Sequence, residues 1–266
     1  MDETDELIRL SGRALVAQMC EAPGFELHMT RNCVLGLTSE PLADFNILTI
    51  GADPEAEAFL IRAVARAGER GAPLLVTLSP NVAPALGPIA TRLGLTALGA
   101  APLMVLRAGT VVRPGRRHKV VRALGPERVR VAGDLVAAAF SAPRDVVARC
   151  MDVGITETSG VETYIAWGDE GPMSVVSVTP AGNTAAISAM ATLPEHQGKG
   201  MGRALLTQVI EDYRGRGVER FHLTASEAGR PLYASLGFET IADLSVWLSE
   251  PATPAVAIAP APAPPP

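Results

Sequence analysis

Three glycines and a lysine stand together in Gln197-Gly198-Lys199-Gly200-Met201-Gly202. The run before them, Ala186 to Thr192, reads as a strand. After them Leu205, Leu206, Val209, Ile210 and Tyr213 recur at helical spacing. Strand, glycine-rich turn and helix together make an anion cradle. Glycines let the backbone approach a phosphate, and the first N–H groups of the helix have no intrahelical partner. Lys199 and Arg203 add positive charge at that dipole end. The same pattern also serves as a plain strand-to-helix connection. It is not a Walker loop, because Gly200 rather than Ser or Thr follows Lys199. Nor is it a dinucleotide fingerprint, which leads to an acidic residue after the next strand.

The turn does fit the acyl-CoA signature [RQ]-x-x-G-x-[GA], with Gln197, Gly200 and Gly202 in the specified places. Further on, residues Thr224 to Phe238 read TASEAGRPLYASLGF. With ATLPEHQGKGMGRALL and ASEAGRPLYASLGF at this spacing, the chain resembles the bacterial-type GNAT family of acetyl-CoA-dependent N-acetyltransferases. The resemblance is specific over roughly Val111 to Leu248. It implies an acyltransferase of class EC 2.3.1.- that moves acetyl directly to a primary amine, without an acyl-enzyme and without a metal.

The resemblance also assigns parts. The backbone of Met190, Ala191 and Thr192 is expected along the pantetheine arm, with one N–H polarising the thioester carbonyl. Gln197, Gly198, Lys199, Gly200, Met201, Gly202 and Arg203 are expected around the pyrophosphate. Tyr233 matches the tyrosine that protonates the departing thiolate in many relatives. A phenol with an ordinary pKa of about 10 holds its proton at neutral pH. Tyr233 also fits a core aromatic. Ser226 fits a contact to pantetheine or tyrosine, and equally a helix N-cap. Glu227 fits an amine anchor, a base, or a carboxylate favoured by a helix N-terminus. The base is open among Glu162, His222, Glu227 and water. His222 has a suitable ordinary pKa of about 6.5, although a lone strand histidine is commonly structural. His196 is expected at the cofactor edge.

The 266 residues favour two compact units. Hydrophobic residues make up 48 % and aromatics 4 %, so the cores are rich in Ala, Val and Leu. A net charge of −5 argues against a nucleic-acid binder and gives anionic CoA no global attraction. Cys20, Cys33 and Cys150 lack metal-ligand spacing and suit a reduced cytoplasm. The acidic N-terminus leads into no apolar signal core, and no run is long enough to span a membrane. Partners are thus expected to be acetyl-CoA and an amine, with no nucleic acid or membrane, and with monomer and homodimer both open.

Periodicity predicts helices at Leu7–Cys20, Pro54–Ala67, Val82–Leu93, Glu127–Phe140 and Pro143–Val153. Strands are predicted at Asn32–Leu37, Phe45–Ile50, Leu74–Leu78, Leu103–Leu106, Val120–Ala123, Val161–Trp167, Met173–Thr179 and Ala186–Thr192. Their alternation gives an α/β class. The resemblance refines this to an α+β GNAT-type fold of two similar lobes, each a mixed, mostly antiparallel sheet flanked by helices. LIRAVARAGERGAPLLVTLS lies over LLTQVIEDYRGRGVERFHLTA with Gly71 on Gly217, which reads as a tandem duplication. The expected divisions are 1–106, a degenerate GNAT-like lobe; 107–119, a linker; 120–250, the catalytic lobe; and 251–266, a disordered Pro/Ala-rich tail. In the first lobe Asp53 and Glu55 fall where a pyrophosphate needs donors, and Ala90 falls near the tyrosine position. That lobe is expected to bind no cofactor. Two other classes stay open: an acyl-CoA-sensing or regulatory module, and a scaffold whose glycine turn is only a connection.

Overall fold

The computed structural model describes residues 2–113, 115, 117–152 and 159–250. The expected tail and Val153 of the fifth expected helix lie outside these residues, as does Arg116 of the expected linker. The first half runs α1 (Glu3–Ala17), β1 (Glu26–Met29), β2 (Cys33–Leu37), β3 (Ile47–Ile50), α2 (Ala56–Glu69), β4 (Leu74–Leu78), α3 (Ala83–Arg92) and β5 (Thr96–Leu106). The second runs β6 (Lys119–Arg122), α4 (Pro126–Phe140), α5 (Arg144–Val147), β7 (Glu162–Gly168), β8 (Gly171–Ala181) and β9 (Thr184–Thr192). It ends with α6 (Met201–Gly215), β10 (Arg220–Thr224), α7 (Arg230–Ser235) and β11 (Glu239–Ser249). A π-helical turn at Ala148–Asp152 extends α5.

All strands join one sheet of mixed, mostly antiparallel pairing, in the order β1-β2-β3-β4-β11-β5-β10-β9-β8-β7-β6. Apart from β6 the order is a palindrome. β1 to β4 mirror β7 to β10, and β11 mirrors β5. The two long strands at the centre cross over: β5 pairs with β10 of the second half, and β11 pairs with β4 of the first. Between them β5 and β11 form an antiparallel ladder from Val105↔Glu239 to Thr96↔Leu248. The strand expected at Leu103–Leu106 is therefore only the buried end of a much longer one. Its outer residues, Thr96 to Ala100, are exposed and carry only one large apolar side chain, Leu98, which hid them from an apolar-run criterion. β1 escaped for the same reason, its last three residues being exposed.

Helices cover both faces. Alternate residues of each strand serve opposite layers, as the period of two demands. Leu48 and Ile50 pack with Phe59, Leu60 and Leu86 beneath α2 and α3. Val176 and Val178 pack with Leu205, Leu206, Val209 and Tyr213 beneath α6. On the other face, Val34 and Ile47 share a core with Val16 of α1, with Met19 just after it, and with Val129, Leu135 and Val136 of α4. That core crosses from one half of the chain to the other, so the halves are bonded through their interior as well as through the sheet. No described helix is long and apolar enough to cross a membrane.

One ion-pair device occurs twice. Arg216, at the end of α6, donates to both oxygens of Glu162, the first residue of β7, at 2.8 Å. Arg70, at the end of α2, donates to Glu26, the first residue of β1, at 2.9 Å. Laying Gly71 on Gly217 places Arg70 on Arg216, so the sequence echo corresponds to a repeated tertiary contact.

The Arg216 guanidinium, followed by the Tyr164 hydroxyl, holds the Glu162 carboxyl down at about 2, against the opposing effect of burial. Such a lowered carboxylate contributes stability above its unfolded pKa and loses it as pH falls through the folded value. Glu162→Gln is expected to cost about 2 kcal/mol at pH 7, discounted for the half-exposed arginine. It should also flatten the loss of stability between about pH 4.5 and 2 in urea titrations run across that range. The crossed central strands make a second expectation: calorimetric melting should show both halves unfolding in a single transition.

Candidate functional site

β9 and β10 run parallel, paired from Thr184–Ala186 to Arg220–His222 and no further. β9 then continues along β8. Ser188 faces Ser177 and Ala191 faces Val175, so Ala189 and Met190 together oppose Val176. This is a β-bulge, which bends a strand and sharpens its twist. Ala189 adopts φ +46°, a left-handed conformation that few residues with a Cβ take. β9 leaves β10 after Ala186, just ahead of the bulge, and a cleft of about 780 Å³ opens between them.

The cleft gathers most of the expected site. Met190, Ala191 and Thr192 line it from β9, and Gln197, Gly198, Gly200, Met201, Gly202 and Arg203 from the turn and α6. His196, Ser226 and Tyr233 line it as well. Gly198 and Gly200 take φ +70° and +80°, which turns the chain sharply into α6. The first i→i+4 bond of that helix runs from Ala204 N–H to the Gly200 carbonyl at 2.9 Å. The amides of Met201, Gly202 and Arg203 precede it and have no intrahelical partner. At Gly202 a Cβ would lie 2.9 Å from Met190 Cε and 3.1 Å from Thr192 Oγ1, so glycine lets α6 settle onto β9. Gln197 uses its side-chain amide to hold the turn, donating to the Thr192 carbonyl at 3.0 Å. Arg203 donates to the Ser235 carbonyl and hydroxyl at 2.9 and 2.6 Å, which fixes its guanidinium at the junction of α6 and α7. These groups suit an anion: unpaired amides, a helix N-terminus and one anchored cation converge at one end.

Tyr233 is 8 % exposed and packs edge-on against Phe238. Among the described residues nothing hydrogen-bonds its hydroxyl, and burial pushes the phenol up to about 12. Ser226 accepts from the Gly229 N–H at 3.1 Å, ordering the turn into α7, while also lining the cleft. The remaining expected residues lie elsewhere. Lys199 and Glu227 are exposed and outside the cleft lining. His222 points to the opposite face, buried under α1, where its Nδ1 meets Ser11 Oγ at 3.1 Å and its Nε2 has no partner. The strand period explains this, since its neighbours Phe221 and Leu223 take the α6 side. Desolvation, with Arg220 adding repulsion, lowers the His222 pKa to about 3. Glu162 is committed to Arg216 and the Tyr164 hydroxyl. Burial raises the Cys33 and Cys150 thiols to about 11 and 12, so neither is a ready nucleophile. Among the described residues no acidic, histidine or cysteine cluster is placed to hold a metal.

The corresponding region of the first half differs at each of these points. β3 and β4 stay paired from Ile47↔Leu75 to Ile50↔Leu78, and the β2–β3 ladder carries no bulge. At the start of α2 the Asp53 carboxylate accepts from the Glu55 N–H at 2.9 Å, the Asn32 N–H at 3.0 Å and the Thr30 hydroxyl at 2.8 Å. Burial alone would raise this carboxyl, and the three hydrogen bonds bring it below the ordinary range.

Residues 159–240, which hold this cleft, match the family model described as an acetyltransferase (GNAT) domain. The second half carries a GNAT domain. The GNAT family in general uses acyl-CoA for N-acetyl transfer. A search of curated proteins by sequence finds no match. Among solved structures, the chain is similar to a GCN5-related N-acetyltransferase from Kribbella flavida, with TM-score 0.69, 16 % identity, and 94 % and 96 % of the two chains covered. It is also similar to a putative GNAT acetyltransferase from Novosphingobium aromaticivorans, with TM-score 0.57, 19 % identity, and 93 % and 99 % covered. A tandem GNAT protein from the clavulanic acid biosynthesis pathway aligns with TM-score 0.56, 17 % identity, and 90 % and 87 % covered. At these identities the likeness is one of fold, and it extends over both halves of the chain.

The position of His222 in the GNAT domain yields a direct expectation. A histidine whose folded pKa is lowered stays neutral through the range where an exposed one charges. Nitrogen-correlated NMR should show His222 neutral and unchanged from pH 8 to pH 5. Titration near the ordinary value of about 6.5 would contradict its burial.

Proposed function

We propose that the GNAT domain transfers an acetyl group from acetyl-CoA directly to a primary amine, with Tyr233 as general acid. The observation that carries this is the unpartnered Tyr233 hydroxyl in the same cleft as the β9 backbone and the glycine turn. The free amides at the start of α6, with Arg203, would hold the pyrophosphate. Met190 to Thr192 would pair with the pantetheine arm as an added strand. The amine nitrogen attacks the thioester carbonyl, the C–N bond forms, the C–S bond breaks, and the sulfur leaves with its electron pair. The Tyr233 proton goes to that sulfur, and the proton lost by the amine goes to water. Burial keeps the phenol protonated, so it holds a proton to give as the thiolate forms.

The first half, 1–106, is proposed to be a degenerate copy joined through 107–119 to the catalytic copy, 120–250. Its closed strands, and the Asp53 carboxylate fixed just ahead of α2, support a reading in which it binds no CoA. The three free thiols fit a reducing, cytoplasmic setting. One observation favours a second reading, a CoA-sensing module without turnover: neither His222 nor Glu227 is in the cleft to serve as base.

Calorimetric titration of acetyl-CoA should give one site per chain. Gly200→Asp, which places a carboxylate in the turn and a Cβ at φ +80°, should weaken that site at least about tenfold. Tyr233→Phe should bind acetyl-CoA normally while kcat falls about a hundredfold. Two sites per chain would overturn the degenerate first lobe. Unchanged turnover in Tyr233→Phe would remove the tyrosine from the chemistry.

A further inference from the structure

A second cavity, of about 390 Å³, lies across β9 from the acyl cleft, on the face covered by α1 and α4. The two cavities share Phe140 and Ala189 in their walls. The bulge therefore does two things: it opens the cleft on one side and turns Ala189 into the second cavity on the other. Most of the lining is apolar. Part of it comes from the first copy, through Leu15 of α1, Met19 just after that helix, and Leu42 and Phe45 before β3.

Its polar side chains are Gln18, Asp44 and Ser141. Gln18 is 6 % exposed, and its Nε2 donates to Ser188 Oγ at 2.8 Å and to the Ala14 carbonyl at 3.4 Å. The Ala14 carbonyl can only accept, so it is this contact that assigns the amide nitrogen, and among the described residues Oε1 accepts no hydrogen bond. Ser188 itself lines the acyl cleft, so Gln18 joins the two cavities by one hydrogen bond. Asp44 is exposed and makes no ion pair among the described residues. The cavity thus offers one carboxylate, one amide in its wall and an apolar lining, with no cationic side chain among the lining residues.

We propose that this cavity, completed by the first copy, holds the acceptor, and that the acceptor is a small primary amine on an aliphatic or aromatic body. The inference rests on the acetyl-transfer reading for its chemistry and on the cavity alone for its binding. Asp44 meets the ammonium on entry. Gln18 Oε1 accepts an N–H of the amine beside Ser188, next to the strand where the thioester would lie. Polyamines and aminoglycosides carry several cations and need several carboxylates, whereas one is present. The volume suits an apolar body of modest size, within the ordinary range for small-molecule sites.

The test uses the full chain without acetyl-CoA and two probes, 2-phenylethylamine and spermine, in direct binding by calorimetry or ligand-observed NMR. Phenylethylamine should bind more tightly than spermine. Asp44→Asn, at an exposed position, should weaken it about threefold, the size of one exposed ion pair. Leu42→Trp, which fills the cavity, should abolish it while acetyl-CoA still titrates normally. Tighter binding of spermine would overturn the proposal, as would phenylethylamine binding that neither substitution moves. Phenylethylamine binding that follows these variants in a protein that takes no acetyl-CoA would uphold the cavity and remove the transferase reading instead.

Discussion

The antiparallel ladder between β5 and β11 is the contact on which the rest of the molecule depends. Each strand closes one half of the chain and is seated against the other half, β5 on β10 and β11 on β4. A parallel strand such as β10 has a partner on each side, and here β9 abandons it after His222. Its remaining length is held only because β5 pairs with Phe221 through Thr224. Without that support the open cleft would leave β10 as a frayed edge with unpaired backbone groups, which are costly when buried. The first half of the chain therefore holds the wall against which the second half opens.

The two halves show how little local change separates an open site from a closed one. They share strand order and the arginine–glutamate clamp. They differ in one extra residue in β9 and in the turn, which runs over residues 51–55 in the first half and over the longer stretch 193–200 in the second. The bulge costs backbone strain at Ala189 and gives up ladder bonds, while β3 keeps both neighbours. Strain of this kind persists where the surroundings over-determine it. Here Ser174 provides part of that hold, donating to the Ala191 carbonyl at 2.7 Å and meeting Thr192 Oγ1 at 2.9 Å.

Much of the site was legible because its chemistry is local. Gly198, Gly200 and Gly202 announce a turn and a close approach by their type alone, and the helical stripe from Leu205 to Tyr213 is entirely buried as its spacing implies. The Gly71–Gly217 echo was legible too, and it led to the repeated clamp. What escaped depends on pairing between distant segments. Nothing in Ala189 marks a positive φ, since alanine is an ordinary strand-tolerant residue. The crossing of β5 and β11 cannot be read from either strand, because neither has a turn that names its partner. Gln18 sits in a helix stripe and gave no sign that it reaches Ser188. His222 looked available for proton transfer until the alternation of β10 placed it on the far face.

Asp53 has a consequence for how the two halves respond to their surroundings. Its carboxylate accepts the Glu55 N–H just ahead of the helix, and the Ala56 N–H goes to the Asp53 carbonyl, so this turn is held by groups of the chain itself. A fixed carboxylate at that place repels a dissolved anion. Its contribution to stability is built into the covalent chain and does not vary with what the solution contains. The matching end of α6 has no such tethered group, so any anion that binds there adds its binding free energy to folding by mass action. Because the central strands are shared, that gain would be felt by both halves alike.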